Sequence, residues 1–515
     1  MVAAEETGER GWWESRWFLL ALPLLAALPL LLPPIPPLID VPGHMGRYKI
    51  ALDLAQSPPL QAFYEFHWAL VPNLGADLLV VPLAALFGLE PAVKIVALVI
   101  PALTVAGFIW VAKEAHGRVP ASVLFAAPLI YSFPFLYGFL NFTLSVALAF
   151  LALALWMRLG RLSHLRLRAA LFVPIALVVW VSHAFGWGML GLLAFSAELA
   201  LQLDAGRRLP EAAFRAALHM LPLAAPLVPM LIWQGQTPAN ADDSFNLPWK
   251  LLALLWVLRD RWQAFDIFTL LFLLVLLVLA WRDKRVEAAR PLAIAAFVLF
   301  AVFLLLPRLF LGGAHNDNRL LPYAIAVALL ALRPSAAASR KFAASFALAA
   351  LAFFLVRMTG VAASAWLYGR SFEAEAAAVE RLPKGARVAA FVGIGCFTDW
   401  QRPRLDHLPS LAIVRREAFT NDQWTVAGSH LLKVKAPYGE YIDPSQMVAE
   451  PECREHLLGP SLAKLPPGLF THVWLIRPPA YDPALVRGWT PLWRRGSSVL
   501  FQLPAPQPAP AVTVP

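Results

Sequence analysis

The sequence predicts a polytopic α-helical membrane protein with a small C-terminal α/β domain outside the membrane. Of the 515 residues, 59% are hydrophobic and only 15% are charged, whereas soluble domains carry about 25% charged residues. The mean hydropathy is +0.62. This composition excludes an ordinary soluble enzyme, a fibrous protein and a disordered chain.

Apolar runs of helical length follow one another over residues 17–360. The first run, 17–38, is long enough to cross a bilayer, which takes about 20 residues, and it is too long for the core of a signal peptide. We therefore expect it to remain as the first spanning helix. The run at 76–87 is too short to cross, which predicts a re-entrant or interfacial helix. The other runs, with 169–188 and 189–203 as separate spans, bring the expected number to about eleven.

Basic residues are concentrated in short breaks between these runs, for example at 158–168, 281–285 and 333–341. Short basic loops face the cytoplasm, so the N-terminus is predicted inside, and Asp40 and everything after about residue 361 outside. The net charge of +10 is then explained by topology rather than by nucleic-acid binding.

Composition also predicts the domain boundaries. We expect a cytoplasmic N-terminus at 1–16, a transmembrane domain at 17–360 with its first outer loop at 39–91, a periplasmic α/β domain at 361–503 and a disordered Pro-rich tail at 504–515. The α/β domain has β-like runs at 386–393, 411–419, 471–478 and 498–503. Both cysteines, Cys396 and Cys453, lie in it. An oxidising periplasm would permit a disulfide, but the sequence leaves the pairing open.

The first outer loop contains the most informative polar residues. Its candidates for a site are Asp40, His44, Arg47 and Glu65. If 43–56 is helical, His44 and Arg47 share a face with Tyr48. The alternatives are that Asp40 is a solvated helix-capping residue and that Glu65 is simply exposed to solvent.

Other predicted outer turns contribute further candidates: Asn141, His183, His315, Asp317 and Arg319. Because the predicted topology puts all of them on the side of Asp40, they suggest an outward cavity for a polar or phosphorylated head group. Arg319 would need an anionic partner, either a phosphate or Asp40. Asn141 could instead belong to a tight turn at Gly138, and His183 could be a packing residue. No tight metal-ligand spacing or nucleotide-binding motif is present, so a divalent metal is left open.

At this point the chain resembles the GT-C superfamily of polyprenyl-phosphate-sugar-dependent glycosyltransferases. The resemblance covers the first helix, the aspartate after it, the amphipathic helices of the first outer loop, the many spans and the outer C-terminal domain. The chain also resembles a group of bacterial polytopic membrane proteins through short motifs. These are D-x-P-x-H-x-x-R from Asp40, P-N-x-x-x-D from Pro72, S-H-x-F-x-x-G from Ser182, H-L-P-x-L-A from His407 and R-R-x-A-F from Arg415.

The resemblance implies a GT-C-like membrane enzyme at the outer face of the bacterial inner membrane. Its donor would be a polyprenyl-phosphate sugar, and its acceptor an envelope lipid or glycan. Asp40 would act as general base in an inverting transfer, with Glu65 or Asp317 as acidic partner. Arg47 and Arg319 would hold phosphate oxygens. His44, Asn141, His183 and His315 would complete substrate binding.

Two other functions compete with this one. A transporter or flippase for a polar lipid would be expected to show internal repeats and charges at the membrane midplane. The sequence shows no repeat and few such charges. A non-catalytic subunit of an envelope-polymer assembly system would use the same outer residues for docking only.

Overall fold

The computed structural model describes residues 11–234, 246–308, 315–396, 399–426, 428, 430–453 and 456–505. The predicted disordered tail lies outside these residues except at 504–505. The chain divides into two compact units. The first, here called the helical unit, comprises Met1–Pro34, Leu70–Leu79 and Lys94–Trp366. The second, here called the mixed unit, comprises Ile35–Ala69, Val80–Val93 and Leu367–Pro515.

Among the described residues, six helices are long and apolar enough to cross a membrane. They are Leu89–His116, Leu140–Arg161, Leu165–Ser182, Ala184–Asp204, Gln263–Arg282 and Arg340–Arg381. The bent pair Leu209–His219 and Leu221–Trp233 would be a seventh span. Shorter apolar helices are Arg16–Leu30, Gly75–Phe87, Val123–Tyr137, Arg290–Leu305 and Leu321–Leu330. The predicted class of polytopic α-helical membrane protein is confirmed, while the number of eleven spans stays a prediction.

The break between two predicted spans lies within the turn expected near residues 183–188. The first helix ends at Ser182 and the next begins at Ala184, earlier than the apolar run 169–188 would suggest. His183 lies between them with extended backbone, and its Nδ1 accepts a hydrogen bond from the Phe185 amide at 3.1 Å. An imidazole that satisfies a free amide at a helix start decides the break, and hydropathy does not register it.

Close approach of helices in the helical unit depends on glycine. A Cβ at Gly186 would lie 2.0 Å from Ser145 Oγ, and one at Gly107 would lie 2.7 Å from Phe150 Cβ. Small residues at such crossings allow helix backbones to pack tightly in a membrane, where burial of apolar surface adds little.

Several charged side chains buried in the helical unit lie beside an opposite charge. Arg168 Nη1 lies 2.7 Å from Glu198 Oε1, and Arg357 Nη1 lies 2.6 Å from Asp266 Oδ1. Pairing of this kind is expected where an isolated charge would be costly.

The mixed unit contains a six-stranded sheet and a two-stranded ribbon. The order of the sheet is Phe419–Thr420, Arg387–Gly393, His472–Ile476, Ser498–Gln502 and Thr490–Arg495, with Met447–Val448 also paired to Arg387–Gly393. Arg387–Gly393 and His472–Ile476 are parallel, whereas the pairs on either side of Ser498–Gln502 are antiparallel. In the ribbon, Tyr64–Phe66 pairs antiparallel with Leu432–Val434. The first outer loop therefore folds together with the C-terminal region.

The helices of the mixed unit are short. They include Val41–Asp53, Pro58–Phe63, Leu411–Arg416 and Leu458–Ala463. The predicted strands at 386–393, 471–478 and 498–503 are present, but the prediction of a strand at 411–419 is wrong. Residues Leu411–Arg416 form a helix that ends where Glu417 adopts φ of 49°, and a strand begins only at Phe419. A short apolar run does not distinguish a buried strand from a buried helix.

Two further features concern the C-terminal half of the chain. The helix that begins at Arg340 continues to Ala376, so the predicted domain boundary at about 361 falls inside it, and the boundary between the units follows Trp366. Cys396 and Cys453 form a disulfide with a Cα–Cα distance of 4.8 Å, which decides the pairing that the sequence left open.

Candidate active site around Asp40

Asp40 immediately precedes the helix Val41–Asp53. It is only 8% exposed, and its side chain does not cap the helix. The alternative of a solvated capping residue is therefore wrong. Burying a carboxylate without need is costly, so its environment is the first place to look for chemistry.

A histidine that the sequence analysis did not select lies beside Asp40. His407 Nε2 is 4.0 Å from Asp40 Oδ1 and 3.9 Å from Asp443 Oδ1. On the other side of the ring, Nδ1 is 3.9 Å from Asp422 Oδ2. With Asp406, the neighbour in sequence, four carboxylates surround this imidazole, and we call these five residues the His407 cluster.

The orientation of the His407 ring is fixed from two directions. Nδ1 lies 2.9 Å from the Asp422 carbonyl oxygen. Because a carbonyl only accepts, Nδ1 carries a proton and donates it. The indole of Trp424 packs against the ring with centroids 4.2 Å apart. The remaining nitrogen, Nε2, is therefore directed at Asp40 and Asp443.

The electrostatics of the cluster are strongly perturbed. Burial alone lowers the pKa of His407, but the carboxylates of Asp406, Asp40, Asp443 and Asp422 outweigh it and raise that pKa from 6.5 to about 9. Burial raises the pKa of Asp406 from 3.8 to about 6, although the neighbouring His407 opposes this shift. Pronounced shifts with named charge partners are typical of functional sites.

Two carboxylates of the cluster differ in how they are held. Asp422 accepts from the Ser410 amide at 2.9 Å, the Ser410 hydroxyl at 2.7 Å and the Thr420 hydroxyl at 2.6 Å, so protein donors satisfy it. Asp406 and Asp443 instead share one donor, Gln446 Nε2, at 3.1 and 2.8 Å. These two carboxylates are drawn together by a single amide group.

The predicted helix face of His44 and Arg47 is present. The His44 and Tyr48 rings are stacked with centroids 6.1 Å apart, and the Arg47 guanidinium lies 5.1 Å from the Tyr48 ring. The His44 ring also contacts Trp424 at 5.2 Å. Gly43 permits this packing, since a Cβ at this position would lie 2.6 Å from the Trp424 ring. Arg47 is only 2% exposed.

Glu65 lies elsewhere in the mixed unit, on the ribbon strand Tyr64–Phe66, where it faces Lys433 across the pair. Its side chain is 45% exposed and lies 3.9 Å from His67 Nε2. Glu65 is therefore exposed to solvent, which was the alternative to a role in the site.

The other candidates belong to the helical unit. Asn141 accepts from the Ala76 amide at 2.6 Å, and it donates to the Asn73 carbonyl at 2.7 Å and to Asp77 Oδ2 at 3.1 Å. Its amide therefore fastens the Pro72–Asp77 motif to the start of a helix. Gly138 adopts φ of 98°, as the tight-turn alternative requires. Both observations give Asn141 a structural position.

His183 and Arg319 are brought together, with Nε2 and Nη1 3.2 Å apart. The Arg319 guanidinium lies 4.3 Å from the Phe139 ring and 5.4 Å from the Phe142 ring. A buried guanidinium on aromatic faces is a preorganised cation, because aromatic rings attract it without neutralising its charge.

His315 and Asp317 have different surroundings. His315 adopts φ of 58° and lies among the rings of Phe133 at 5.4 Å and Trp249 at 5.8 Å. Asp317 is 1% exposed and pairs with Lys250 Nζ at 3.3 Å. A carboxylate already paired with a buried cation is a poor candidate for a base.

Asp406, His407, Asp422 and Asp443 were missed because they lie in three separate parts of the C-terminal region. Two features of the sequence could have indicated this region. One is the H-L-P-x-L-A motif at His407, which entered only as part of a resemblance, and the other is the adjacent acid and imidazole at 406–407.

Comparisons with known proteins bear on the fold. No family model and no curated protein matches the chain. The crystal structure of ArnT from Cupriavidus metallidurans bound to undecaprenyl phosphate matches with a TM-score of 0.50 and 12% identity, over 94% of this chain and 97% of that one. The chain has the GT-C fold. The apo form of the same protein gives a TM-score of 0.49 and 11% identity over the same shares.

The fold predicted from the resemblance is thus confirmed over nearly the whole chain, including its C-terminal region. At this identity the similarity concerns the fold, and functional roles must be argued from the residues of this chain.

Proposed function

We propose that the chain is an integral-membrane glycosyltransferase that uses a polyprenyl-phosphate-linked sugar and an envelope lipid or glycan acceptor. The observation that carries the proposal is the buried Asp40 carboxylate beside His407 in a chain with the GT-C fold. The undecaprenyl phosphate bound by the similar ArnT structure supports the class of donor.

In the proposed reaction Asp40 is the general base. It takes the proton of the acceptor hydroxyl while that oxygen attacks the anomeric carbon. The bond between this carbon and the phosphate oxygen breaks, and the polyprenyl phosphate leaves with the electron pair. A single displacement inverts the configuration. A positive charge at His407 Nε2, 4.0 Å from Asp40 Oδ1, would favour the carboxylate form that a base requires.

We propose Arg319 in the helical unit and, independently, Arg47 in the mixed unit as ligands of phosphate oxygens. Both guanidinium groups lie against aromatic rings and are buried, at 2% and 8% exposure. A desolvated guanidinium binds phosphate oxygens through two parallel hydrogen bonds, which a lysine does not reproduce. Arg319→Lys is therefore expected to weaken binding of undecaprenyl phosphate by the purified protein, as measured in detergent without any transfer step.

The test of the activity is transfer in proteoliposomes. Purified protein receives a panel of radiolabelled polyprenyl-phosphate sugars with envelope lipid extract, and wild type is compared with Asp40→Asn. We expect the variant to lose about 10²–10⁴-fold in rate, the usual contribution of a general base. Asp53→Asn is the matched control, because Asp53 ends the same helix and pairs with Lys49 at the partly exposed end.

The outcomes separate the competing functions. Equal transfer by both proteins would remove Asp40 from the chemistry. A folded wild-type protein that uses no donor in the panel would contradict the proposal. In that case lipid flipping by the same proteoliposomes would indicate a transporter, and its absence a non-catalytic subunit of an assembly system.

We also propose that the mixed unit lies in the periplasm, with the chain in the bacterial inner membrane and the N-terminus inside. The Cys396–Cys453 disulfide supports this side, since disulfides persist in oxidising compartments. Fusions at the C-terminus provide the test. Alkaline phosphatase fused there should be active, and a fluorescent protein that folds only in the cytosol should not fluoresce. The opposite pattern would reverse the orientation.

A further inference from the structure

Three side chains of the His407 cluster are arranged as metal ligands would be. One ligand atom from each of Asp406, His407 and Asp443 lies within 4.8 Å of the other two. Ligands of one ion with bonds of about 2.0–2.2 Å lie closer together than this, so small rotamer changes would bring all three to a common ion. Asp406 and His407 are buried and Asp443 is partly buried, which favours a closed site over a solvated surface cluster.

The tautomer of His407 points to the same conclusion. A metal-binding histidine typically donates its other ring N–H to a carbonyl or carboxylate, which orients the ring. Here Nδ1 donates to the Asp422 carbonyl at 2.9 Å. The lone pair of the neutral ring is then at Nε2, which is directed at the oxygens of Asp40 and Asp443 at 4.0 and 3.9 Å. A lone pair facing carboxylate oxygens needs either a proton or a metal ion between them.

Charge within the cluster favours a cation among its carboxylates. Asp40, Asp406 and Asp422 are at most 8% exposed, and Asp443 has 19% side-chain exposure. Like charges this close together raise the cost of burial. A divalent cation bound between Asp406 and Asp443 would reduce that repulsion.

Gln446 adds a fourth polar group at the same place. Its amide nitrogen lies between Asp406 and Asp443. Its buried Oε1 accepts no hydrogen bond from any residue that the structure describes. A half-turn of this amide would exchange the two atoms and direct an oxygen between the carboxylates.

We propose that Asp406, His407 and Asp443 bind one divalent transition-metal ion, with Zn²⁺ as the best match, next to Asp40. One imidazole and two carboxylates are a donor set that zinc accepts, whereas Mg²⁺ and Ca²⁺ prefer oxygen ligands only. The bound ion would join the 406–407 segment to the 443–446 segment and add positive charge near Asp40. The proposal does not rest on the proposed function, because its ligands are read from the cluster alone.

Metal binding by the full-length protein in detergent tests the proposal. The protein is stripped with a chelator, dialysed and titrated with Zn²⁺, and the bound zinc is also measured by elemental analysis. We expect one zinc per chain for wild type. Binding should be at least about tenfold weaker in Asp443→Asn and His407→Gln, since loss even of a supporting contact costs about 10–100-fold. Asp482→Asn, which changes a helix-capping aspartate elsewhere in the mixed unit, should bind zinc as wild type does.

X-ray absorption at the zinc edge gives a result that does not depend on the folding of a variant. Wild type should show one imidazole and otherwise oxygen ligands, with no sulfur. Absence of zinc binding by wild type would overturn the proposal, as would equal binding by the two ligand variants or a zinc spectrum without imidazole. Loss of sugar transfer by a zinc-loaded protein would count against the proposed function and leave the metal site standing.

Discussion

Three buried carboxylates of the helical unit each lie beside a cationic side chain, whereas four carboxylates of the mixed unit surround a single imidazole. In the helical unit the pairs are Arg168–Glu198 at 2.7 Å, Arg357–Asp266 at 2.6 Å and Lys250–Asp317 at 3.3 Å. In the mixed unit His407 lies 3.9–4.0 Å from the carboxylates of Asp40, Asp422 and Asp443. A buried charge is tolerated when an opposite charge lies beside it. A cluster with more negative than positive groups can instead bind a cation or take part in a reaction.

The difference also separates two kinds of candidate residue. Asp317 was selected from the sequence as a catalytic acid, but its pairing with Lys250 gives it a structural explanation. Asp40 was selected for its position after the first helix, and it lies beside His407 in a cluster of carboxylates. Residues that look alike in sequence are thus distinguished by the charge around them.

The largest expected effect comes from breaking a balanced pair. Arg357→Met leaves the Asp266 carboxylate buried without its cation, because both side chains are 1% exposed. We expect the free energy of unfolding to fall by about 3–5 kcal/mol, the usual cost of an uncompensated buried charge. The loss of stability is measured by heating the protein in detergent and quantifying the folded fraction by size-exclusion chromatography.

A double variant provides the control for this prediction. Arg357→Met combined with Asp266→Asn removes both charges but keeps an oxygen that can accept from the Asp260 amide, which donates to Asp266 at 2.8 Å. We expect it to be more stable than the single variant. If the single variant has the same melting temperature as wild type, pairing of buried charges does not govern the stability of the helical unit.

The second effect concerns the covalent link in the mixed unit. Changing both Cys396 and Cys453 to serine opens a cross-link between residues 57 apart in the sequence. We expect the free energy of unfolding to fall by about 2–4 kcal/mol, since the unfolded chain regains conformational freedom. Wild type treated with a reductant should melt at the same temperature as the variant. A variant as stable as oxidised wild type would show that noncovalent packing alone holds this region.

Hydropathy and periodicity predicted much of the molecule. A bilayer demands long apolar helices, so the spans from Leu89–His116 to Gln263–Arg282 could be read from the sequence. The shared face of His44, Arg47 and Tyr48 followed from helical spacing alone. These features depend on residues that are close in sequence.

The His407 cluster could not be predicted in this way. Asp40 and Asp443 are separated by some 400 residues, and the contacts depend on turns whose geometry is set by tertiary packing. The helix at Leu411–Arg416 was missed for a related reason, and the apolar run to residue 188 did not show that a helix ends at Ser182. Local hydrogen bonds and backbone geometry set such helix ends, and an average over a window of residues conceals them.

The third effect has the opposite sign to the first two, because removing one carboxylate from the His407 cluster should not lower stability. Asp443→Asn keeps an oxygen that can accept from Gln446 Nε2 but removes one negative charge beside Asp406. In metal-free protein we expect stability to be unchanged or to rise by about 1 kcal/mol, as repulsion between buried carboxylates decreases. Added zinc should raise the melting temperature of wild type only. A clear loss of stability in the metal-free variant would show that this carboxylate is balanced within the protein, like those of the helical unit.

The smallest effect is expected from a pair that is balanced but exposed. Arg290 and Asp204 form an ion pair in the helical unit, and their side chains are 57% and 53% exposed. Arg290→Gln should change the free energy of unfolding by about 0–1 kcal/mol, because water solvates each charge nearly as well as its partner does. Raising the salt concentration should erase even this difference. The comparison with Arg357→Met then contrasts a buried with an exposed pair, since both variants remove one arginine from an ion pair in the same unit. If Arg290→Gln were as damaging as Arg357→Met, the cost would lie in losing the contact itself, and the excess of carboxylates around His407 would no longer mark that cluster as different.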